Sequence, residues 1–579
     1  MHGRARRAPS RVRHPARPSG GPCKGGEMSD AAAEFDLLDE PWIIVTDASG
    51  KASEVSLRQV FRQADEYVAI GGEVPTQQFA ILRLLLAIVH RTVADRPGTA
   101  IDVWSQLWQE WPADDIDRYL LAHRDRFDLF HPSTPFFQVA DLRSAKDGVS
   151  SLDKLIADVP NGDKYFTTRA GRSLDRIDFG EAARWLVHAH AFDPSGIKTG
   201  AEGDARVKGG KGYPIGVAWA GSLGGVYLEG GDLRRTLLLN LVLADPDGDR
   251  YPDHDLPPWE RDPDGPAVRD ITGPSGPVDL FTWQSRRVRL VNSGAQVTGV
   301  VLCNGDALES FNKQLLEPMT GWRYSENQSK KAGETRHYPM VHDPEKSLWR
   351  GLRSLLGDVA SSEPVVGRAI APGVVEWAGT LLDAGALPPD QPIRLHAVGM
   401  HYINNLSIVG DIVDDAIGFR AAMLASDPRL RICAVAAVQI AEEAVDALAN
   451  LAADLAAAAG GEPTGARMRA REEGFFALEA PYRRWLAGLV PQSTGYARQA
   501  AEWEQTAFVI VRRLGTEYIA AAGDVAWVGR PVREKWLDSS IAECWFYKKL
   551  RAVLPSAFTE HRDTQEKEPT DGERVTVVW

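Results

Sequence analysis

The last third of this chain limits what it can fold into, because apolar residues recur there at helical spacing over long stretches. Four such patterns, separated by Gly and Pro clusters, cover 414–459, 465–490, 495–522 and 532–553. In the first, Ala441, Val445, Leu448, Ala452 and Leu455 are spaced alternately four and three residues apart, which places them along one side of a helix. Helices with such seams and short connections bury them against one another. The pattern predicts an antiparallel four-helix bundle over 414–556.

Residues 28–413 carry a mixed pattern that predicts one large α/β domain. The segment PWIIVT (41–46) has the β-branched and aromatic residues typical of a strand. Helical spacing covers 75–93, 180–192 and 232–243, whereas 278–291 alternates as a pair of strands does. The fold class is therefore predicted to be α+β, with the mixed domain followed by the bundle and then by a polar tail, 557–579.

The first 27 residues differ from the rest of the chain. They contain seven Lys or Arg, one acidic residue and no apolar stretch of the kind found in a signal peptide. We interpret 1–27 as a basic disordered arm or as an over-extended start, with Met28 as the alternative beginning. The whole chain has a net charge of −13, which is not typical of a protein that binds nucleic acid alone. Contact with nucleic acid would need local basic patches or positive partners in an assembly.

The hydropathy of the chain and its use of cysteine indicate the cellular compartment in which the protein works. No run of about 18 apolar residues occurs, so no membrane span is predicted. The cysteines, Cys23, Cys303, Cys433 and Cys544, lie far apart and form no C-x-x-C pair. This spacing argues against a disulfide framework and against a zinc ribbon, and it fits a reducing cytoplasm.

The stretch AFDPSGIKTGAEGDARVKGGKG (191–212) is rich in Gly and Lys. It fails as a phosphate-binding P-loop, because Ala205 stands where the first Gly belongs and Gly212 replaces the Ser or Thr. Small residues and lysines do suit close approach to a nucleic-acid backbone. We interpret 199–212 mainly as a mobile loop in which Lys208 and Lys211 contact DNA phosphates.

No catalytic constellation emerges from the sequence. His254 and Asp255 form a lone His-Asp pair, and His188 and His190 lie two apart on a predicted helix, so they point to different faces. The residues themselves therefore give no support for catalysis, and they predict no cofactor and no metal site. Two alternatives stay open: a nucleotide-dependent enzyme built around 194–212, and a ribonucleoprotein scaffold without a DNA role.

The segment GMHYINNLSIVG (399–410) places two amides between apolar residues just before the predicted bundle. An asparagine turn in a hairpin is sufficient to explain it, because Asn tolerates tight turns. A hairpin tip could also present the amides of Asn404 and Asn405 to base edges. Both interpretations predict a hairpin here.

Several stretches together resemble the CasA family, the large subunit of the type I-E CRISPR surveillance complex, Cascade. They occur in the family's order: FDLLDEPWIIV and LRLLLAIVHR (within 35–91), HPSTPFFQV (131–139), GGDLRRTLLLNLVL (230–243), LFTWQ (280–284) and the asparagine turn. The resemblance covers about 35–555. It implies an α/β domain with a C-terminal four-helix bundle and no catalysis. It also implies recognition of the protospacer-adjacent motif in double-stranded DNA through the minor groove, strand separation leading to an R-loop, and recruitment of a helicase-nuclease.

Site residues carry over from this resemblance position by position. The minor-groove loop matches Pro194–Lys198, with Ser195, Gly196, Ile197 and Lys198 as its DNA-contacting members. The wedge hairpin matches Asn404, Asn405 and Leu406, where Asn405 stands in place of a common glutamine and reaches one methylene less far.

The remaining carry-over concerns the guide RNA and the DNA backbone. The loop that touches the 5′ handle of the CRISPR RNA matches YFTTRAG (165–171), with Phe166 and Thr168 as candidates. A groove-reading cation falls within 317–331, where Arg323 and Lys330 are both available. The partners implied are CRISPR RNA, target DNA, the other Cascade subunits and the helicase-nuclease. Some relatives carry a cysteine-rich finger, but only Cys303 lies near that position, so no zinc is expected.

Overall fold

The computed structural model describes residues 33–146, 148–159, 174–245, 247–357, 369–492, 495–532 and 534–558. Within them the helices are α1 (Leu57–Arg62), α2 (Pro75–Thr92), α3 (Ala100–Gln109), α4 (Ala113–Ala122), α5 (Phe179–Phe192), α6 (Leu233–Asn240), α7 (Pro277–Phe281), α8 (Glu326–Ala332), α9 (Leu352–Leu356), α10 (Gly373–Asp383), α11 (Arg429–Ala459), α12 (Pro463–Ala487), α13 (Ala497–Ala521), α14 (Gly523–Val528) and α15 (Ser539–Val553).

The strands of the same residues pair in small antiparallel sheets. They are β1 (Ile43–Asp47), β2 (Ala52–Val55), β3 (Tyr67–Ile70), β4 (Lys198–Thr199), β5 (Lys211–Gly212), β6 (Gly224–Glu229), β7 (Arg286–Ser293), β8 (Gln296–Asn304), β9 (Trp322–Tyr324), β10 (His337–Pro339), β11 (Pro392–Ile403), β12 (Ile408–Arg420), β13 (Arg530–Val532) and β14 (Lys535–Leu537). The fold is therefore a mixed α+β body followed by a helical region, as predicted.

Helix α2 forms the centre of the α/β body. It begins at Pro75, whose fixed φ suits a first helical position, and its side chains from Phe79 to His90 are all buried. Helices α5 and α7 pack against it. Its one charged residue in the buried stretch, Arg83, donates two hydrogen bonds of 2.8 Å to Glu317, so the guanidinium is paired inside the core. The predicted helix 75–93 is confirmed.

The sheet that positions the candidate site has the strand order β12–β11–β6. Strand β6 pairs only with residues 394–399 of β11, whereas β12 follows β11 as far as the pair Ile403–Ile408. The end of the β11–β12 hairpin therefore extends beyond the third strand as a two-stranded arm. A register shift between His401 and Tyr402 bends this arm.

Three predicted boundaries are wrong. The first C-terminal helix was expected from 414, but β12 continues to Arg420 because its residues pair with β11, and α11 begins only at Arg429. The last was expected from 532, but β13 and β14 occupy 530–537 and α15 begins at Ser539. Residues 278–291 are not a strand pair: α7 ends at Phe281, and β7 then pairs with β8.

The long helices of the C-terminal region pack around α11, which contacts α12, α13 and α15. All five residues of the predicted seam, from Ala441 to Leu455, are buried. Gly474 of α12 leaves room for Val445, whose nearest methyl group would lie 3.0 Å from an added Cβ, so the two helices approach closely here. The region shares one continuous hydrophobic core with the α/β body.

Candidate nucleic-acid interface

The tip of the β11–β12 hairpin has an unusual backbone. Asn404, Asn405 and Leu406 have φ values of 50°, 57° and 65°, which places three successive residues in the left-handed region. The Ser407 hydroxyl donates to the Asn404 carbonyl at 2.6 Å, and the Ser407 amide donates to the Ile403 carbonyl at 3.1 Å. The hairpin predicted for 399–410 is confirmed. Asn visits this region readily, but for a bulky residue such as leucine it is an outlier.

The side chains of the tip are exposed. Leu406 leaves 47% of its surface exposed although it is apolar, and both asparagines are exposed beside it. The tip thus presents two amides, which can donate and accept hydrogen bonds, next to an isobutyl group that gains free energy on leaving water. Such a combination suits contact with stacked bases.

The second candidate element is the loop that follows α5. Gly196 has φ 151°, a conformation that L side chains rarely adopt, and no atom lies within 4 Å of the place where a Cβ would be. Ile197 beside it is 59% exposed. The loop therefore offers open backbone and one apolar side chain to the surface, which permits close approach by another molecule.

The structure brings these two elements together. The Ser195 amide donates to the Leu406 carbonyl at 2.9 Å. The Tyr402 hydroxyl, on the arm of the hairpin, donates to the Phe192 carbonyl at the end of α5 at 2.6 Å. Two segments separated by about 210 residues of chain thus form one edge, which we call the loop–hairpin edge (194–198 with 404–406).

Lys198 lies in a buried ion cluster. Its Nζ is 2.5 Å from Asp193 Oδ2, and the Arg286 guanidinium donates to the same oxygen. Burial alone would raise the pKa of Asp193, but Lys198 and Arg286 hold it below its usual value; burial lowers the pKa of Lys198, which Asp193 partly offsets. Only 12% of the Lys198 side chain is exposed. Its contact with DNA stays a prediction, and the cluster gives it a role in holding the loop.

Arg286 is the residue that sequence reasoning missed. Its Nη2 donates to the carbonyls of Asp193 at 3.0 Å, Pro194 at 3.2 Å and Gly216 at 3.0 Å, and its side chain is fully buried. It therefore ties the start of the loop to the segment that follows β5. The RRVR run that contains it stands out in the sequence, but nothing local indicates which of its arginines points inward.

Lys208 and Lys211 flank a tight turn at the end of the segment that connects β4 to β5. Each backbone amide of this pair donates to the carbonyl of the other, at 3.1 and 3.2 Å, and Gly209 and Gly210 between them have φ values of 59° and 71°. These are the angles of a type I′ turn. Both lysines are exposed. The stretch runs into a strand and not into a helix, so it does not have the architecture of a P-loop.

The other predicted contacts differ in their surroundings. Arg323, on β9, is exposed and its Cζ lies 5.7 Å from the centre of the Tyr338 ring. Lys330, on α8, forms a surface ion pair of 2.6 Å with Glu326. Of these two cations, Arg323 is the one near the hairpin. The Tyr338 ring that it approaches lines a cavity that Leu406 of the hairpin tip also lines. Phe166 and Thr168 lie outside the described residues.

Of the histidines considered in the sequence, His188 and His190 are buried and hydrogen-bonded, whereas His254 lies on the surface. His188 hydrogen-bonds to the Thr76 hydroxyl and His190 donates to the Phe137 carbonyl, both at 2.9 Å. Burial lowers their pKa values to about 3 and about 4. Asp255 accepts from the amides of Val278 and Asp279 at the start of α7, whereas His254 is exposed. The His-Asp pair therefore has no shared site.

Two further observations limit the chemistry. Among the described residues, no group of three or more His, Cys, Asp or Glu could hold a metal ion. No helix in this part of the chain is long and apolar enough to cross a membrane. The described surface around the loop–hairpin edge thus presents a projecting hairpin tip, the amides of two asparagines and exposed lysines.

These features define a class of protein in which a mixed α+β body precedes a helical C-terminal region and an exposed loop–hairpin edge lies on the body. The chain belongs to the Cse1 family, since the family model described as CRISPR-associated protein Cse1 matches residues 36–514. This membership confirms the resemblance to CasA-type large subunits of Cascade.

Individual relatives agree with the family assignment. The crystal structure of Cse1 from Thermobifida fusca is 44% identical with a TM-score of 0.83, over 92% of this chain and 100% of that chain. Cse1 from Acidimicrobium ferrooxidans is 31% identical with a TM-score of 0.75, over 91% and 99%. The CRISPR-associated protein CasA/Cse1 of Thermus thermophilus is 28% identical over 444 residues, which are 74% of this chain and 79% of that protein.

Proposed function

We propose that this Cascade large subunit recognises a short motif in double-stranded DNA and starts strand separation there. The loop (Ser195–Lys198) enters the minor groove, and the hairpin tip (Asn404–Leu406) wedges between the strands. The observation that carries the proposal is the hydrogen bond from the Ser195 amide to the Leu406 carbonyl, at 2.9 Å. It couples the element that reads the groove to the element that opens the duplex.

The physical chemistry of DNA supports these two roles, in which the loop reads the minor groove and the hairpin tip opens the duplex. The minor groove distinguishes base pairs poorly, so reading it tolerates several short motifs while guide pairing supplies sequence specificity. Opening DNA costs about 1.4 kcal/mol per base-pair step, so a wedge assisted by guide RNA has only to nucleate the opening. Lys208 and Lys211 lie on the adjoining β4–β5 hairpin, where we place contacts with DNA phosphates.

The partners that we propose for the subunit follow from its membership of the Cse1 family. With a net charge of −13, the chain depends on the rest of Cascade to attract the DNA. We propose that it contacts CRISPR RNA, joins the other Cascade subunits and recruits the helicase-nuclease, without catalysing a reaction itself.

We further propose that the C-terminal region is an antiparallel four-helix bundle that packs against neighbouring subunits. Helix α11 contacts α12, α13 and α15, which supports this arrangement. The faces of α12 and α13 expose Phe476 and Val509, at 81% and 55%.

The test uses the assembled complex and a duplex that carries the motif. Replacing Asn404 and Asn405 together by alanine should weaken duplex binding by about tenfold or more, because two amides and their turn are lost, and should leave assembly intact. Binding is measured by gel shift, and assembly by gel filtration.

Asn292→Ala provides the matched control, since Asn292 is an exposed asparagine near the tip of the β7–β8 hairpin. It should leave duplex binding unchanged. Unchanged binding in the Asn404/Asn405 variant would remove the hairpin from the DNA site and favour an RNA-protein scaffold without a DNA role.

A further inference from the structure

A cavity of about 730 Å³ lies beside the hairpin tip. Leu406 and Val341 line it and are 47% and 68% exposed, so the cavity reaches the surface. Its inner lining includes Trp219, Tyr402 and Met400, which are buried. Pockets of about 300–1,000 Å³ with mostly apolar walls and few polar groups are typical of small-ligand sites.

Two aromatic rings line the cavity as a pair. The ring centres of Phe311 and Tyr338 are 5.9 Å apart, and the ring planes are tilted by 49°. Each ring also has a guanidinium nearby, with Arg336 Cζ 4.1 Å from the centre of Phe311 and Arg323 Cζ 5.7 Å from the centre of Tyr338. Proteins stack unpaired bases on aromatic rings, and nearby arginines add cation–π contacts.

The exposed polar groups at the cavity favour the base and not the phosphate. Glu309 and His401 line it and are exposed, and Ser310 adds a neutral hydroxyl. Arg286 and Asp306 also line it, but both are buried and already paired within the protein. A carboxylate accepts hydrogen bonds from amino groups of bases and repels phosphate oxygens. Arg323 and Arg336 can attract the phosphates that stay outside.

From this geometry we infer that the cavity receives a single nucleobase that Leu406 has unstacked from the duplex. The inference rests on the proposed function and adds the destination of the displaced base. Because the polar groups include both donors and acceptors, the cavity takes bases of more than one kind. Capture of the base opposes re-closure of the duplex behind the wedge.

The test is photocrosslinking in the assembled complex with guide RNA. 5-Iododeoxyuridine is placed singly at each position next to the motif, first in the target strand and then in the displaced strand. Irradiation should crosslink one position of one strand to Tyr338 or Phe311, as identified by mass spectrometry of the peptides. The two sets of duplexes tell which strand supplies the base.

Substitutions in the cavity distinguish capture of the base from opening of the duplex. Tyr338→Leu and Phe311→Leu should each lower the crosslink yield at least about fivefold while permanganate still detects unpaired thymines. Tyr324→Leu is the matched control, because Tyr324 lies on β9, which pairs with the strand of Tyr338, but does not line the cavity. It should leave the yield unchanged.

The outcomes distinguish the two proposals. Permanganate-reactive thymines with crosslinks that map only outside the cavity would overturn base capture and leave strand separation in place. A wild-type complex that binds the duplex with no permanganate-reactive thymine would overturn the proposed strand separation, and base capture with it.

Discussion

At the scale of single residues, Leu406 stands out because a leucine here adopts a left-handed backbone conformation. Its φ of 65° follows those of two asparagines in the left-handed region. For asparagine this conformation is common, but for leucine the Cβ lies too close to the following carbonyl, which costs about 1–2 kcal/mol. Conformations of this kind persist where the surrounding structure and the function require them. The hairpin register and the Ser407 bonds hold it here.

Leu406→Gly should therefore raise or preserve stability while it removes the side chain that we propose acts as the wedge. Glycine adopts φ 65° without strain, which offsets its entropic cost of about 0.5–1 kcal/mol, so the free energy of unfolding should change by less than about 1 kcal/mol. Permanganate reactivity next to the motif should fall at least fivefold in the assembled complex. Chemical denaturation and thymine oxidation measure the two effects.

Leu315→Gly serves for comparison, because Leu315 is also exposed, at 55%, but has no positive φ. It should lower the free energy of unfolding and leave strand opening unchanged. A Leu406→Gly protein that is destabilised by more than 2 kcal/mol would show that the tip is not strained.

At the scale of elements, the loop after α5 depends on a neighbouring hairpin strand. Arg286 of β7 donates to the carbonyls of Asp193, Pro194 and Gly216 and to the Asp193 carboxylate. The same carboxylate also pairs with Lys198. Removing the partner of a buried charge lowers stability, because the attraction between the charges no longer offsets the free energy of removing the remaining charge from water. The position of the loop 194–198 is thus fixed by a residue of β7 that lies about 90 positions away in the chain.

Arg286→Leu should cost about 3–5 kcal/mol of unfolding free energy, because the Asp193 carboxylate is then left with Lys198 alone. Duplex binding should also fall, since the loop loses its anchor. Arg289→Leu is the control on the same strand, where the guanidinium donates to Leu142 at 3.2 Å and is only half-buried. Equal losses in both variants, by denaturation and gel shift, would contradict the anchoring role.

Helix α5 should make the protein sensitive to acid. Burial lowers the pKa of His188 to about 3 and that of His190 to about 4, below the unfolded value of about 6.5. As the pH falls below 6.5, the unfolded chain binds protons that the folded chain does not, so stability declines by about 1.4 kcal/mol per pH unit for each residue.

His188→Leu should flatten this decline between pH 6.5 and 5 by about 2 kcal/mol relative to the native protein. His254→Leu, at an exposed histidine, should leave the slope as it is. Unfolding free energies measured at half-unit pH intervals check the difference, and parallel slopes in all three proteins would refute it.

At the scale of the whole molecule, the α/β body and the helical region share one core. The Trp349 ring lies 4.9 Å from that of Tyr482 on α12, and the Arg483 guanidinium pairs with Asp415 of β12 at 2.8 Å. One hydrophobic cluster contains buried residues of both regions, from Leu37 in the α/β body to Ala557 near the end of the helical region. Domains with a large apolar interface unfold together.

Calorimetry of the isolated chain should accordingly show a single unfolding transition. Trp349→Ala should lower the free energy of unfolding by about 3–5 kcal/mol, because it leaves a cavity at the junction. Two separate transitions in the native protein would mean that the regions fold independently.

Much of this architecture could be predicted from local patterns. Helix α2 and the seam of α11 follow from apolar spacing, and the hairpin at 399–410 follows from its asparagines. Two of the three failures have one cause: 414–420 and 530–537 pair as strands because a partner strand lies beside them, and pairing across a hairpin overrides local helical spacing.

The sequence by itself determined the types of most elements, the family to which the chain belongs and the two segments expected to meet DNA. These properties depend on residues close together in the chain. Only the tertiary structure decided that Ser195 and Leu406 meet, that Arg286 holds the loop, that Lys198 is paired with Asp193, and that a cavity opens beside the hairpin tip. The physical reason is that contacts across about 210 residues depend on strand register and side-chain burial, which no local pattern encodes.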